Sequence, residues 1–242
     1  MPGPLVAALR ARTLIGREIA ELAFEMVTPP RLDFRAGQFV SISVDPPNAD
    51  PSAPALPRRS YSIASQTTDG GRLRFIIRVV AEGAASHFLM GLPIGAEIAM
   101  TGPHGFFVLD AAHAGDVVFG ATGTGVAAVM PMLGELAGRS EPGRRHLYWG
   151  VREEADLFAR EEIEALAARA RTTVSIHLTA PTATWTGERG RITAAILDAL
   201  PALSAPTFYL VGNGAMITEL KRELIARGVN RKAQIRTEAF FD

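Results

Sequence analysis

Past Asp110 the chain repeats one unit, a short apolar strand followed by a helix, and before that point it never does. Val117 to Gly120 leads into a helix from Gly125 to Ala137, and His146 to Gly150 into Ala155 to Arg169. Val174 to Thr179 leads into Arg191 to Leu200, Thr207 to Val211 into Ala215 to Arg227, and Gln234 to Thr237 makes a last strand. Units of this kind predict a parallel sheet covered by helices on both faces. Between Leu14 and Met100 the runs are instead Ile19 to Met26, Gln38 to Val44, Tyr61 to Ala64, Leu73 to Val80 and Glu97 to Met100, separated by turn residues. That is the pattern of a small antiparallel barrel or sandwich. Ser86 to Leu92 reads as one short helix closed by Gly91 and Pro93, and proline-rich Asp45 to Pro57 as an exposed loop. Two domains are expected, an antiparallel β-barrel over 1–112 and an α/β parallel-sheet domain over 113–242, with the junction near Leu109 to Gly115.

The composition can fill both cores: 48% of the 242 residues are apolar and 21% charged. Twenty-five basic residues balance twenty-five acidic ones, so the total charge steers the chain toward neither nucleic acid nor a membrane, while leaving room for a local basic patch facing an acidic protein. Only Lys221 and Lys232 are lysines, which reads as compositional bias. The absence of cysteine excludes disulfides and a cysteine-bound zinc or iron-sulfur cluster within this chain, so any such cluster belongs to another protein. His87, His104, His113, His146 and His177 show no close ligand spacing, read as surface or satisfied core side chains, and give no expectation of a metal site. Met1 to Leu14 lacks an apolar signal core, and the longest apolar stretch, Val126 to Leu133, is too short to span a bilayer, so a soluble cytoplasmic protein is expected.

Five short segments carry the chemistry. Gly120-Ala-Thr-Gly-Thr-Gly125 lies between a strand and a helix, where glycines let a phosphate approach helix N-terminal amides, although such a turn also occurs for structural reasons alone. Gly212-Asn213-Gly214 again follows a strand, and Asn213 is also a good helix cap. Two glycine-rich turns at the carboxyl ends of parallel strands describe a ligand crevice. Arg59-Ser60-Tyr61-Ser62 gathers a guanidinium, hydroxyls and an aromatic ring on an extended segment, with Arg59 and Tyr61 on one face and Ser60 and Ser62 on the other. Taken alone, that run is also compatible with a wet strand face. Gly83-Ala84-Ala85-Ser86 offers an anion seat with Ser86 as a cap, and Glu238-Ala-Phe-Phe-Asp242 ends the chain with aromatics that favour docking into a crevice over exposure.

With those residues assembled, the chain resembles the ferredoxin-NADP reductase superfamily over nearly its whole length, in particular the single-chain bacterial reductases and the reductase components of oxygenases. In that family an FAD-binding antiparallel β-barrel precedes an NAD(P)-binding α/β domain. The resemblance implies that Arg59 holds flavin phosphate, Ser60 lies in the same motif, Tyr61 packs on the flavin ring and Ser62 lies near its N5. Arg78, Val79 and Val80 match the next flavin strand, Gly83, Ala84, Ala85 and Ser86 the pyrophosphate turn, and Gly102 to Phe107 the turn that ends the barrel. On the nicotinamide side the matches are Thr122, Gly123, Thr124 and Gly125, then Tyr148 to Arg152, then Gly212, Asn213 and Met216. Glu238 is similar to the family's carboxylate near the flavin and Phe240 to its terminal aromatic, which yields to nicotinamide. Reduced nicotinamide would pass hydride to FAD, and single electrons would go on to ferredoxin, flavodoxin or an oxygenase iron-sulfur component, the reductase itself being a monomer.

Three departures are visible. Val211 stands where a cysteine often precedes the last motif, Ala128 replaces a usual proline while Pro131 enters the helix, and Thr179-Ala-Pro-Thr182 lacks an arginine common in NADP-specific members. The last leans toward NADH, with Arg152 and Arg189 leaving the choice open. Alternatives are a reductase that releases free flavin, an electron-transfer subunit active only in a complex, and a silent FAD-binding interaction protein.

Overall fold

A computed structural model of the chain describes residues 5–43, 58–81, 83–110, 115–140 and 142–240. The loop expected over Asp45 to Pro57 lies outside the described residues, as does part of the expected junction, at 111–114.

The N-terminal sheet has six strands, β1 (Leu5–Gly16), β2 (Ile19–Thr28), β3 (Phe39–Ile42), β4 (Arg59–Ser62), β5 (Arg72–Arg78) and β6 (Glu97–His104). Their order is β4-β3-β6-β1-β2-β5, with antiparallel pairing throughout. Alternation explains β2: Ala20, Leu22, Phe24 and Met26 point into the core while Glu21 and Glu25 face outward. Just beyond β4 the Ala64 amide donates to the Arg74 carbonyl of β5 at 2.8 Å, so the two end strands meet and the sheet closes on itself. Helix α1 (Ala84–Gly91) follows β5. It begins two residues before Ser86, and its N-cap is Gly83. Ser86 is therefore not the cap; its buried hydroxyl accepts from Val80 N at 3.1 Å and donates back to the Gly83 carbonyl at 2.9 Å, tying the turn to the end of β5.

The C-terminal sheet is parallel, in the order β10-β9-β8-β7-β11-β12. It comprises β7 (Val117–Thr122), β8 (Arg145–Val151), β9 (Thr172–Leu178), β10 (Glu188–Arg189), β11 (Thr207–Asn213) and β12 (Ile235–Phe240). Helices α2 (Val126–Ala137) and α3 (Arg160–Arg169) cover one face, and α4 (Ile192–Ala199) and α5 (Gly214–Ala226) the other, with a short α6 (Arg231–Gln234) before the last strand. Burial on both sides accounts for the unbroken apolar run of β7. Helix α2 runs through Pro131 without interruption. The helix expected from Ala155 starts only at Arg160, because Ala159 takes a left-handed φ of 45° that a continuous helix cannot pass.

One apolar cluster unites the two sheets: Ile19, Ala64, Ile76 and Phe107 pack with Val126, Trp149 and Phe158. Around it, Arg74 of β5 grips both oxygens of Glu162 on α3, at 2.5 and 2.8 Å, and also bonds Glu21. Gln66 lies so close to α2 that a Cβ on Gly134 would collide with its amide. No helix among the described residues is long and apolar enough to cross a membrane, and none of their His, Asp or Glu side chains cluster to hold a metal.

Candidate functional site

Strand order in the second sheet reverses between β7 and β11, and at such a point the carboxyl ends of neighbouring strands leave a crevice. The two glycine-rich turns lie there side by side. Thr122 Oγ1, at the end of β7, accepts from the Asn213 amide at 2.9 Å. Asn213 in turn caps α5 by accepting from the Met216 amide at 3.1 Å. Gly212 between them has φ of 114°, and a Cβ there would collide with Thr122 Oγ1 and lie 2.6 Å from the Thr122 carbonyl, so only glycine allows this approach. Gly123 and Thr124 start the turn into α2 and Gly125 is buried at its base, while Trp149 Nε1 fixes the Gly123 carbonyl at 3.0 Å. The Met216 side chain is packed in the apolar core with Ile192, Ile217 and Leu220.

From the barrel, β4 approaches this crevice in register with β3, Tyr61 opposite Val40 and Ser62 opposite Phe39. Arg59 and Ser60 are exposed. The Arg59 guanidinium touches only the Arg58 carbonyl, at 3.3 Å, and has no acidic partner among the described residues. Tyr61 leans on Phe75, ring centres 6.4 Å apart, and burial pushes its hydroxyl up to about 12 against an opposing pull from Arg59. Arg78 pairs loosely with Glu18 at 3.6 Å, Val79 packs on the barrel core and Val80 is exposed beside the Gly83 turn. At that turn α1 presents its first amides, from Ala84 and Ala85, at a helix N-terminus.

At the crevice the two domains are joined by one side-chain bond. Ser62 Oγ donates to Glu238 Oε1 at 3.0 Å. Glu238 is held there because β12 pairs with β11 in register, Val211 with Glu238, Gly212 with Ala239 and Asn213 with Phe240. Burial raises the Glu238 carboxyl to about 7, the Ser62 bond pulling the other way. Phe240 is half-buried against the shared cluster, directly opposite the Asn213 cap. Thus Ser62, Glu238, Phe240, Gly212 and Asn213 converge, whereas Arg152 stands apart past the end of β8, exposed and 3.4 Å from Glu153.

Sequence reasoning did not single out Glu154. Its carboxylate accepts from the Thr182 amide at 3.0 Å and from the Thr182 hydroxyl at 2.5 Å, which holds it ionised below the usual carboxylate range. Arg189 Nη2 donates to the Thr182 and Trp185 carbonyls, each at 3.0 Å. Nor is His177 a satisfied core histidine: both ring nitrogens are buried without a partner among the described residues.

A polar set of this kind suits a flavin dinucleotide: a guanidinium without an acid partner among the described residues, helix N-terminal amides, an aromatic ring at the strand and a carboxyl that titrates near neutrality at the junction. Residues 6–109 match the model of the oxidoreductase FAD-binding domain, and residues 119–222 that of the oxidoreductase NAD-binding domain. The chain is 32% identical to ferredoxin-NADP reductase B of Sorangium cellulosum over 232 residues, covering 93% of this chain and 92% of that one. It is 31% identical to the ferredoxin-NAD(P)(+) reductase component of the naphthalene 1,2-dioxygenase/salicylate 5-hydroxylase systems of a Ralstonia species, over 93% of this chain and 65% of the other. Among solved structures, a cytochrome P450 reductase of Amycolatopsis superposes with a TM-score of 0.84 at 25% identity, over 98% of this chain and 70% of that one. Sheet order, crevice and kinship agree: the chain belongs to the ferredoxin-NADP reductase superfamily and is an FAD-dependent NAD(P)H oxidoreductase.

Proposed function

We propose that the Ser62-Glu238 junction is the place where NAD(P)H delivers its hydride, and that the electrons leave one at a time to ferredoxin, flavodoxin or an oxygenase component. The 3.0 Å bond between these residues carries the reading, because it sets the barrel motif against the strand that runs alongside the Gly212 turn. FAD, when bound, supplies the conversion of a two-electron donor into single-electron delivery. The chain supplies the positioning. Arg59 and the Ala84 and Ala85 amides bind the pyrophosphate, with Ser60, Arg78, Val79 and Val80 flanking it, while Ser86 keeps the turn in shape from beneath. Tyr61 orients the ring. Thr122, Gly123, Thr124, Gly125 and Gly212 line the nicotinamide crevice, Asn213 and Met216 fix its floor through the α5 cap, and Phe240 covers the ring until nicotinamide displaces it. Burial lets the Glu238 carboxyl take up and release a proton near neutral pH, while Ser62 donates to its Oε1 and favours the ionised form. The division into 1–112 and 113–242 belongs to the same reading and is supported by the two sheets and the two family matches.

NADH is the proposed coenzyme. In doubly wound folds an acidic side chain beyond the second strand takes the ribose 2′-hydroxyl and repels a 2′-phosphate. Glu154 follows β8, the second strand, and is pinned in its ionised form by Thr182. Arg189 has its Nη2 taken by carbonyls, which leaves Arg152 to flank the nucleotide. A cytoplasmic location follows from the proposed use of NAD(P)H, the nucleotide pool this enzyme would draw on. The test is purification followed by turnover: FAD retained by each chain, and NADH oxidised in step with reduction of an added ferredoxin. Retained FAD with no oxidation of either nucleotide would overturn the reading.

A further inference from the structure

Gln38 stands just before β3 and is bonded to the chain beside each partner of the Ser62-Glu238 bond. Its carbonyl accepts from the Ile63 amide at 3.0 Å, one residue past Ser62, and so prolongs the pairing in which Phe39 stands opposite Ser62. Its half-buried side chain donates from Nε2 to the Gly105 carbonyl at 3.3 Å. Oε1 accepts from the Arg35 amide at 2.8 Å, and the Gln38 amide donates back to the Arg35 carbonyl at 3.1 Å. The side chain is thus fixed at its acceptor end and presents its donor to Gly105.

Gly105 walls the acid. A Cβ added there would lie 3.5 Å from Glu238 Oε2 and 3.0 Å from the Phe39 ring, so backbone, ring and carboxyl close on one point. Ser62 bonds the other oxygen, Oε1, which leaves the Gly105 turn to cover Oε2. That turn needs support from elsewhere, because His104 and Phe106 on either side of Gly105 are exposed and Gly105 itself has φ of 99°. Gln38 Nε2 is the side-chain donor that reaches the Gly105 carbonyl among the described residues. Behind it the same segment is pressed onto the turn: a Cβ on Gly37 would collide with the Phe107 carbonyl, and Arg35 Nη2 donates to the Leu109 carbonyl at 3.1 Å.

We propose that Gln38 is a positioning residue for hydride transfer: bonding Gly105 through its side-chain amide and Ile63 through its carbonyl, it holds the turn and the strand end between which Ser62 meets Glu238. No step of the chemistry passes through Gln38 itself, and the inference rests on the reading of that junction given above. Gln38→Met keeps the length of the side chain and the backbone bond to Ile63 while removing both side-chain bonds. In the apo protein the Glu238 carboxyl can be titrated by carboxyl-carbon NMR, its resonance assigned from Glu238→Gln. Burial sets its value against the pull of Ser62, with no contribution from Arg236 on its own strand or from His104 beside Gly105, so the midpoint reports how far water reaches it. Wild type titrates at about 7, and Gln38→Met roughly one unit lower. In the FAD-loaded enzyme, flavin reduction by saturating NADH slows roughly tenfold in Gln38→Met, while the NADH Kd and FAD content hold. Gln38→Glu, which keeps the Arg35 bond and loses the donor to Gly105, slows it as much. Placed in the Glu238→Gln background, Gln38→Met costs less than about twofold more, because it acts through that carboxyl. An unmoved carboxyl midpoint, a wild-type rate in Gln38→Glu, or additive losses in the double variant overturns the proposal. So does lower FAD retention with the rate of the remaining holoenzyme intact, the signature of a merely structural residue. A wild-type rate in Glu238→Gln alone would instead sink the junction reading and this proposal with it.

Discussion

Ser62 and Glu238 are 176 positions apart in the chain and 3.0 Å apart in the fold, hydroxyl to carboxylate, and they join the last residue of β4 to the last strand of the molecule. Burial raises the Glu238 pKa to about 7, so the acid changes charge near neutral pH. Replacing Glu238 by Gln is expected to remove an ionisation near pH 7 from the profile of NADH-driven flavin reduction and to slow that step roughly a hundredfold. Stability should move the other way. The folded value lies above the ordinary 4.5, so the contribution of Glu238 is complete below 4.5 and is lost as pH rises through about 7. Glu238→Gln should therefore be more stable than the parent at pH 8, and equal losses of stability and rate would contradict the assignment.

Arg59 is the proposed phosphate anchor, and its exposed guanidinium makes no ion pair among the described residues. Arg59→Ala should weaken FAD binding by about 1.5 to 3 kcal/mol, roughly 10- to 100-fold in Kd, with the apo melting temperature unchanged. Equilibrium dialysis against FAD checks it, and an unchanged Kd removes the anchor.

Coenzyme choice should turn on Glu154. Glu154→Gln keeps a contact to Thr182 and removes the negative charge. The ratio of kcat/KM for NADPH to that for NADH is expected to rise roughly tenfold, an effect of about 1.4 kcal/mol on the 2′-phosphate. A ratio that does not move places the discriminating charge elsewhere.

Buried His177 supplies a pH effect on stability alone. Burial lowers its pKa below 6.5, opposed by Glu188, so the folded protein keeps it neutral where the unfolded chain takes up a proton. Its contribution is complete above 6.5 and is lost as pH falls through the depressed folded value. In urea titrations between pH 7.5 and 5, His177→Phe should show a shallower decline than wild type, and parallel declines would rule out His177 as the source.

Much of this was legible in the sequence because it is local. The apolar run of β7, the Gly212 turn and the Asn213 cap each depend on a few neighbouring residues, and they stand where the pattern placed them. Strand β1 escaped notice although it is the longest, because register shifts after Val6, Leu9 and Leu14 break its alternation, and Arg10 and Arg12 interrupt its apolar face. Ser86 does not take the cap position its sequence context suggests, because its partners, Val80 and Gly83, are set by the turn and not by the helix start. Glu154 and Thr182 meet only because β8 and β9 are adjacent, and no spacing rule along the chain encodes that. The Ser62-Glu238 bond was likewise beyond pattern reading: the sequence marks both segments, but nothing along the chain pairs a residue of β4 with one 176 positions later.

The central claim is that NAD(P)H reduces FAD held between the two domains, and an anaerobic titration tests it most directly. The purified protein should carry flavin absorbance near roughly 450 nm that bleaches on addition of one equivalent of NADH, with NADPH acting far more slowly. Bound flavin that neither nucleotide bleaches would contradict the account.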